Sequence, residues 1–266
     1  TALAFNWLRS SGYEIPQQVE KKLHGYLDNL LRRDAVPTFY SKGMSSTVRA
    51  VALAALAEHG RVAVSDLRRF QPHVPFMSLF GKAHYLQAAI KVEGAESIVR
   101  EVATVILAHS SQTGGKFFFN EELDDSFKRI LATPLRANAA ILAAFTELGE
   151  KKAGTELVGD VPFKLVRSIT QTRGKRDHWE NTQENMFCMN ALIEYSRVYE
   201  QEKPNMAIRA FLDAQLLGKT KFNDLRDDPV TFARPLTAAD PGRKAKIEIE
   251  REGKGRLYYA ARVRFA

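Results

Sequence analysis

Cysteine is almost missing. The 266 residues contain one, Cys188, so no disulfide can form within the chain, although that alone does not fix a compartment. Nor is there an apolar run near the roughly 20 residues a membrane-spanning helix needs. Phosphate-binding glycine loops are lacking too: Gly114-Gly115-Lys116 has no upstream glycine, and GxGxxG does not occur. His24, His59, His73, His84 and His109 are scattered, and none is framed by a nucleophile motif. His178 and Cys188 lie ten residues apart without a second pair, which excludes a zinc finger. Cys188 sits between Phe187 and Met189 in a helical pattern with no base on its face, and reads as an inert core thiol. Catalytic, cofactor-binding and metal-binding residues are therefore all expected to be none.

What is present is helix. Thr1–Gly12, Thr47–Gly60, Leu135–Gly149 and Thr182–Ser196 each have a polar start and an apolar middle, Ala-rich in the first three, and the first three end in a Gly suited to a C-cap. Their starts recur at a period near 45 residues once the blurred member Ser78–Gly94 is included, the mark of repeated helix pairs. Bulkier amphipathic segments lie between them: Val19–Arg33, Val64–Phe70, Ile98–Ser110 and Phe163–Thr172. Small helices alternating with amphipathic ones suit two concentric layers, the inner crowded around an axis and the outer keeping one wet face. An open superhelix is the competing arrangement. The Ala-rich helices lack a consistent polar face, which favours a closed α/α ring. Residues 181–199, apolar on nearly every side from Met186 to Tyr195, should be an inner helix. Asn181 and Glu184 mark its start in the manner of a capping box.

Two stretches interrupt the pattern. Gln112–Asn120 joins a Gly turn to an aromatic run and predicts a short hairpin, whereas Pro72–Pro75 should break any helix. Glu121, Glu122, Asp124 and Asp125 follow the hairpin. They could line a cleft as acid and base, but carboxylates this dense are ordinarily a solvated loop.

Beyond Lys203-Pro204 the helical period is lost. Strands are expected at Ala207–Leu217, Val230–Leu236, Ala245–Glu250 and Leu257–Phe265, the last two joined through Arg251–Gly255. One apolar face on four strands makes half of a sandwich. The formal charge of +8 is concentrated here: residues 204–266 hold 13 Lys and Arg against 8 Asp and Glu, or +5. No RNP, KH or helix-turn-helix pattern accompanies this excess, so it reads as the solvated face of a sheet and no nucleic-acid partner is expected. The chain opens inside a helical pattern and stops inside a strand pattern, without initiator Met or export signal. A piece of a longer protein is the expectation, so the missing signal says nothing of location.

Trp179-Glu-Asn-Thr-Gln-Glu-Asn-Met-Phe-Cys-Met-Asn-Ala-Leu192 resembles the last toroid helix of the bacterial alpha-2-macroglobulin family, which typically reads W-x-x-T-Q-E-N before an apolar helix. Thr1-Ala-Leu-Ala-Phe-Asn-Trp-Leu with Gly12–Pro16 looks like an earlier toroid helix and its exit. Gly253–Phe265 looks like the closing hairpin of the CUB-like domain after it. The resemblance implies a mainly α fold: an α/α toroid of the thioester-domain kind over 1–202, incomplete at its start, then a small antiparallel β-sandwich portion, CUB-like and incomplete, over 203–266. It also implies a protease-trapping endopeptidase inhibitor and not an enzyme, with proteases and other domains of its own chain as partners. A periplasmic or envelope location follows, with membrane contact only through a lipid anchor outside this stretch. The family's thioester signature C-x-E-Q is absent, for the one cysteine reads Cys188-Met-Asn-Ala191. Trp179, Thr182, Gln183 and Asn185 match the family pattern as helix-start packing, not as reactants.

Two other readings stand beside it. An α/α-toroid enzyme of the terpenoid cyclase, prenyltransferase or glycosidase type would need D-x-D-D or zinc ligands. Neither Asp124-Asp125 nor Asp224–Asp228 supplies the former, and the latter are not evident. A helical scaffold binding peptides or polyanions through its basic strands is the third.

Overall fold

A computed structural model describes residues 1–33, 36–174, 176–235, 237, 240, 242–259 and 261–263, without the side chains of residues 152 and 153. It divides into two compact units, Thr1–Val198 and Tyr199–Ala266. The mainly α part followed by a small antiparallel β part is as the sequence predicts.

In the first unit the helices α1 (Ala2–Ser10), α3 (Lys42–Ala57), α5 (Leu79–Ile90), α7 (Pro134–Glu150) and α10 (Thr182–Tyr199) are the small-residue members. Between them run α2 (Gln17–Arg33), α4 (Val64–Phe70), α6 (Glu96–Leu107), α8 (Lys152–Val158) and α9 (Val161–Thr172). Helix α5 lies between α3 and α7, while α2, α6 and α9 lie against α3, α5 and α7 respectively. Alanines and one glycine let these axes approach. A Cβ built on Gly81 of α5 would stand 3.0 Å from the Thr47 Cα of α3 and 2.9 Å from its hydroxyl. Most residues of α3 and α7, and all but one of α5, are buried. Their far ends are tied together by Lys91, which bridges Glu58 at 2.8 Å and Glu147 at 2.5 Å.

Each start is fixed by its own side chain. Ser41 accepts from the Met44 amide, Ser78 from Gly81 and Thr133 from Arg136, satisfying N–H groups the helix itself cannot. Pro72 and Pro75 fall in a 3-10 turn, Gln71–Phe76, between α4 and α5. The inserted hairpin is β1 (Ser110–Thr113) and β2 (Lys116–Phe119), joined by Gly114 and Gly115, both left-handed at φ 57° and 76°. Two positive φ values in succession suit the twist of a two-residue hairpin turn.

Helix α10 departs from expectation. Only one face is buried, carrying Glu184, Phe187, Cys188, Ala191 and Tyr195, while Met189 and Ile193 are 50% and 59% exposed. An all-apolar helix needs neighbours on all sides, and here α10 has them on one.

The second unit is a three-stranded antiparallel sheet in the order β4-β3-β5, with β3 at Asn205–Leu212, β4 at Gln215–Phe222 and β5 at Ile247–Lys254. Four strand expectations need correction. Ala207–Leu217 is not one strand but the two arms of a hairpin, turning at Asp213 and Ala214 with φ 48° and 68°. Alanine seldom occupies that region, so the turn left no sequence signal. The Asp213 carboxylate holds it by accepting from the Lys246 amide at 2.8 Å and from Arg243. Arg251–Lys254 continue β5 along β3 instead of turning. Neither Val230–Leu236 nor Leu257–Phe265 is a strand in its described residues, with Leu236, Ala260, Arg264 and Phe265 lying outside them. The apolar face of β3 buries Met206 and Ile208, and the Phe232 ring lies directly over Gly218 of β4. That face is thus partly covered by the sheet's own unit.

Candidate functional site

Four helices of the first unit converge on one aromatic cluster. Phe187 of α10 meets Trp7 of α1 edge-on at 5.3 Å and Phe80 of α5 at 5.1 Å. Phe80 in turn meets His84 at 4.5 Å and lies under the Arg136 guanidinium of α7 at 4.2 Å. Edge-to-face rings and a cation over a ring face are favourable ways to fill a dry space. The first and last small-residue helices therefore join, which an open spiral would not allow. His84 is fully enclosed. Its Nδ1 pairs with Gln87 at 2.8 Å, its Nε2 has no partner among the described residues, and burial with Arg136 nearby pulls its pKa down to about 4. A neutral imidazole set against the Arg136 cation and the rings of Phe80 and Phe187 has, among the described residues, neither a nucleophile nor a carboxylate to work with.

Cys188 is fully buried, and burial together with Glu184 pushes its thiol up to about 12. It stays protonated and unreactive. His178 sits on the surface beside Asp177, bonded to the Trp179 carbonyl.

The motif around Trp179 builds the entry to α10. The Asn185 amide group clasps the Trp179 backbone in both directions, accepting from its N–H at 3.0 Å and donating to its carbonyl at 3.1 Å. The indole N–H donates to the Thr172 hydroxyl at 3.0 Å, which pins the loop to α9. Asn181 caps the helix, accepting from the Glu184 amide at 2.9 Å.

The carboxylates after the hairpin separate. Glu121 is no solvated residue: it accepts from the Leu79 amide at 2.6 Å at the start of α5, and burial raises its pKa against that bond and the nearby Lys82. The Lys82 ammonium is buried beside it and donates to the Met77 carbonyl. Asp124 caps the next 3-10 turn through the Ser126 amide at 2.8 Å, and Asp125 pairs with Lys128 on the surface. These acids serve different helix starts and do not form an acid–base pair. Asp224 and Asp227 likewise fold their own turn, Asp227 accepting from the Asn223 and Asp224 amides.

One grouping was not legible in the sequence. Glu20 and His24 of α2 come together with His59, just beyond α3, so that one ligand atom of each lies within 4.8 Å of the others. The His24 and His59 rings are 4.4 Å apart, and His59 Nε2 is 3.9 Å from Glu20. Glu20 is gripped by Arg9 at 2.6 Å, which with the nearby histidines draws its pKa down against the opposing effect of burial. The signal available was the spacing of four between Glu20 and His24, which puts both on one helix face. The partner 35 residues away carried no local mark.

No protein-family model matches the chain, and no curated protein matches it. Its fold does have solved counterparts. The chain superposes over 95% of its length on the native conformation of Escherichia coli alpha-2-macroglobulin, with a TM-score of 0.59 and 15% identity. A Salmonella alpha-2-macroglobulin mutant matches over 97% with a TM-score of 0.59 and 16% identity. E. coli alpha-2-macroglobulin activated by porcine elastase matches over 95%, at 0.54 and 16%. The chain spans 13%, 16% and 19% of those proteins respectively. At such identities the likeness is one of fold, and it runs through both the helical unit and the sheet. Among the described residues no helix is long and apolar enough to cross a membrane.

Proposed function

We propose that the chain is part of a bacterial alpha-2-macroglobulin-like, broad-spectrum endopeptidase inhibitor that traps proteases after they cleave a bait segment. One observation carries this: a single fold match covers nearly the whole chain, small-residue helices first and sheet second. On this reading residues 1–202 are a thioester-domain-like toroid and residues 203–266 a CUB-like portion. The partners are proteases, met through the whole protein, and other domains of the same polypeptide. The location is the periplasm or cell envelope, with any lipid anchor outside this stretch, and the chain is not an enzyme.

The chemistry of the described residues fits a packing module. Cys188 is enclosed and protonated and is followed by Met189-Asn190-Ala191, so it is no thioester nucleophile. Glu121, Lys82 and Arg136 bond backbone groups beside helix ends. Such a module would present a firm helical body whose attachments change when the inhibitor rearranges, and acylation, if any, would come from residues beyond this chain.

The test is a trapping assay on the complete protein encoded by the gene that contains this chain. Elastase added at equal molarity should lose activity toward a large protein substrate while keeping most of it toward a small peptide substrate. Retained cleavage of both substrates, with no change in the inhibitor's size or mobility after bait cleavage, overturns the reading.

A further inference from the structure

We infer that Glu20, His24 and His59 form a binding site for a divalent transition metal of the zinc class, one that clamps α1 and α2 to the end of α3. The proposal is independent of protease trapping.

The donor set points to the metal class. Two imidazoles and one carboxylate suit zinc and its borderline neighbours and are poor ligands for calcium or magnesium, which prefer oxygen. The geometry is close to what the ion needs. Ligand atoms bound at about 2.0–2.2 Å stand somewhat more than 3 Å apart around a tetrahedral ion. His59 Nε2 and Glu20 Oε1 are already 3.9 Å apart, and no gap in the group exceeds 4.8 Å. Rotation of side chains alone closes the difference. Glu20 and His59 retain only 14% and 19% of their side-chain exposure, enough for an ion to enter and little enough to hold it.

A fourth donor stands ready. The Asn6 side-chain oxygen lies 2.8 Å from His59 Nε2, and Asn6 is oriented by its own amide bond to the Ala55 carbonyl at 3.2 Å. In the metal-free arrangement His59 Nε2 carries the proton of that bond. Metal takes its place: the neutral ring passes to its Nδ1–H tautomer, the proton leaving Nε2 for solvent while Nδ1 takes one up, and the freed Nε2 and the amide oxygen move apart to admit the ion.

The charged groups around the site set its strength and pH range. Arg9 of α1 holds Glu20, Arg61 beyond α3 pairs with Asp28 of α2, and the two histidines face each other. Burial and the neighbouring His59 lower the pKa of His24, with Glu20 and Asp28 opposing. Nearby cations oppose a second positive charge, so the metal must displace Arg9 from Glu20. Arg9 is half exposed and free to swing into water. The bound state ties α1 to the site through Asn6, where it otherwise buries no residue fully.

The test uses the 266-residue chain after treatment with a chelator. Equilibrium dialysis against zinc chloride at neutral pH should give one saturable equivalent, and cobalt(II) should bind there with the visible absorption of a low-symmetry site. Zinc should raise the melting temperature. His24→Ala and His59→Ala should each weaken that equivalent at least about tenfold. Arg9→Gln, which frees Glu20, should tighten it several-fold. Circular dichroism checks that each metal-free variant is folded, and Glu20→Gln serves should a histidine variant not be. Absence of a saturable equivalent, or binding unchanged in the folded variants, overturns the site.

Discussion

Helices α3, α5 and α7 and helices α1 and α10 are made from similar residues and buried very differently. Leu53 of α3, Leu86 of α5 and Phe145 of α7 are wholly enclosed, whereas α1 has no fully buried residue and α10 leaves Ile193 59% exposed. Composition is not the whole cause: α10 holds one alanine against five in α3, but α1 is small-residue and apolar and still has no buried residue. The difference is in the number of flanking helices: α5 has α3 on one side and α7 on the other, while α10 touches its neighbours through one stripe. Apolar periodicity reports what a helix can bury, and the surrounding helices decide how much of that is realised.

This contrast can be tested by substitution. The largest effect should come from Leu86→Ala in the enclosed middle, which should cost about 2–5 kcal/mol in urea unfolding through lost burial and an unfilled cavity. The same truncation at Ile193 should change stability by no more than about 0.5 kcal/mol. Equal losses at the two sites would break the comparison.

A pH effect comes next. His84 is neutral in the folded chain with a pKa near 4, against 6.5 when exposed. Between those values the unfolded chain binds a proton that the folded one refuses, so stability falls as the pH drops from 6.5 toward 4 and is complete above 6.5. The loss at the acid end is up to about 3 kcal/mol for this group alone. Unfolding curves at about pH 7.5 and about pH 5 should therefore differ less in His84→Gln than in the parent chain. An unchanged difference would show that His84 reaches water.

Two glycines give the smallest and sharpest contrast. Gly81→Ala places a methyl group against the Thr47 backbone, and should destabilise by about 1–3 kcal/mol although alanine is the better helix former. Gly25 of α2 has open space at the same position. There Gly25→Ala should stabilise by up to about 1 kcal/mol. Opposite signs at two helical glycines would confirm that packing, and not propensity, governs the middle of the unit.

The sequence made the helices visible because their signals are local: a polar cap, an apolar middle and a glycine stop. The start at Ser78, the Gly114-Gly115 hairpin and the enclosed state of Cys188 follow from such signals, whereas α3 and α7 are capped by Ser41 and Thr133, ahead of the Thr47 and Leu135 starts expected from the sequence. Long-range relations carried none. Glu121 looked like one acid in a solvated loop, and only the fold brings it under the first amides of α5. His24 and His59 looked scattered because two helices had to be laid side by side before they met. In the second unit the turn at Asp213-Ala214 was invisible, since its conformation is stabilised by Arg243 and Lys246 thirty residues on and not by a turn-forming residue. The extent of β5 was misjudged for a related reason, as Gly253 and Gly255 look like a turn but lie against Asn205, Met206 and Pro204.

The contact between Trp7 and Phe187 also equips the molecule with its own optical gauge. Of the two tryptophans in the chain, one bridges the first and last inner helices, and the other is locked to Thr172 and the Ile169 carbonyl. Any event that parts α1 from α10 would wet the first indole and redden its emission while leaving the second as a constant reference. Opening and closure could then be followed in real time without a dye.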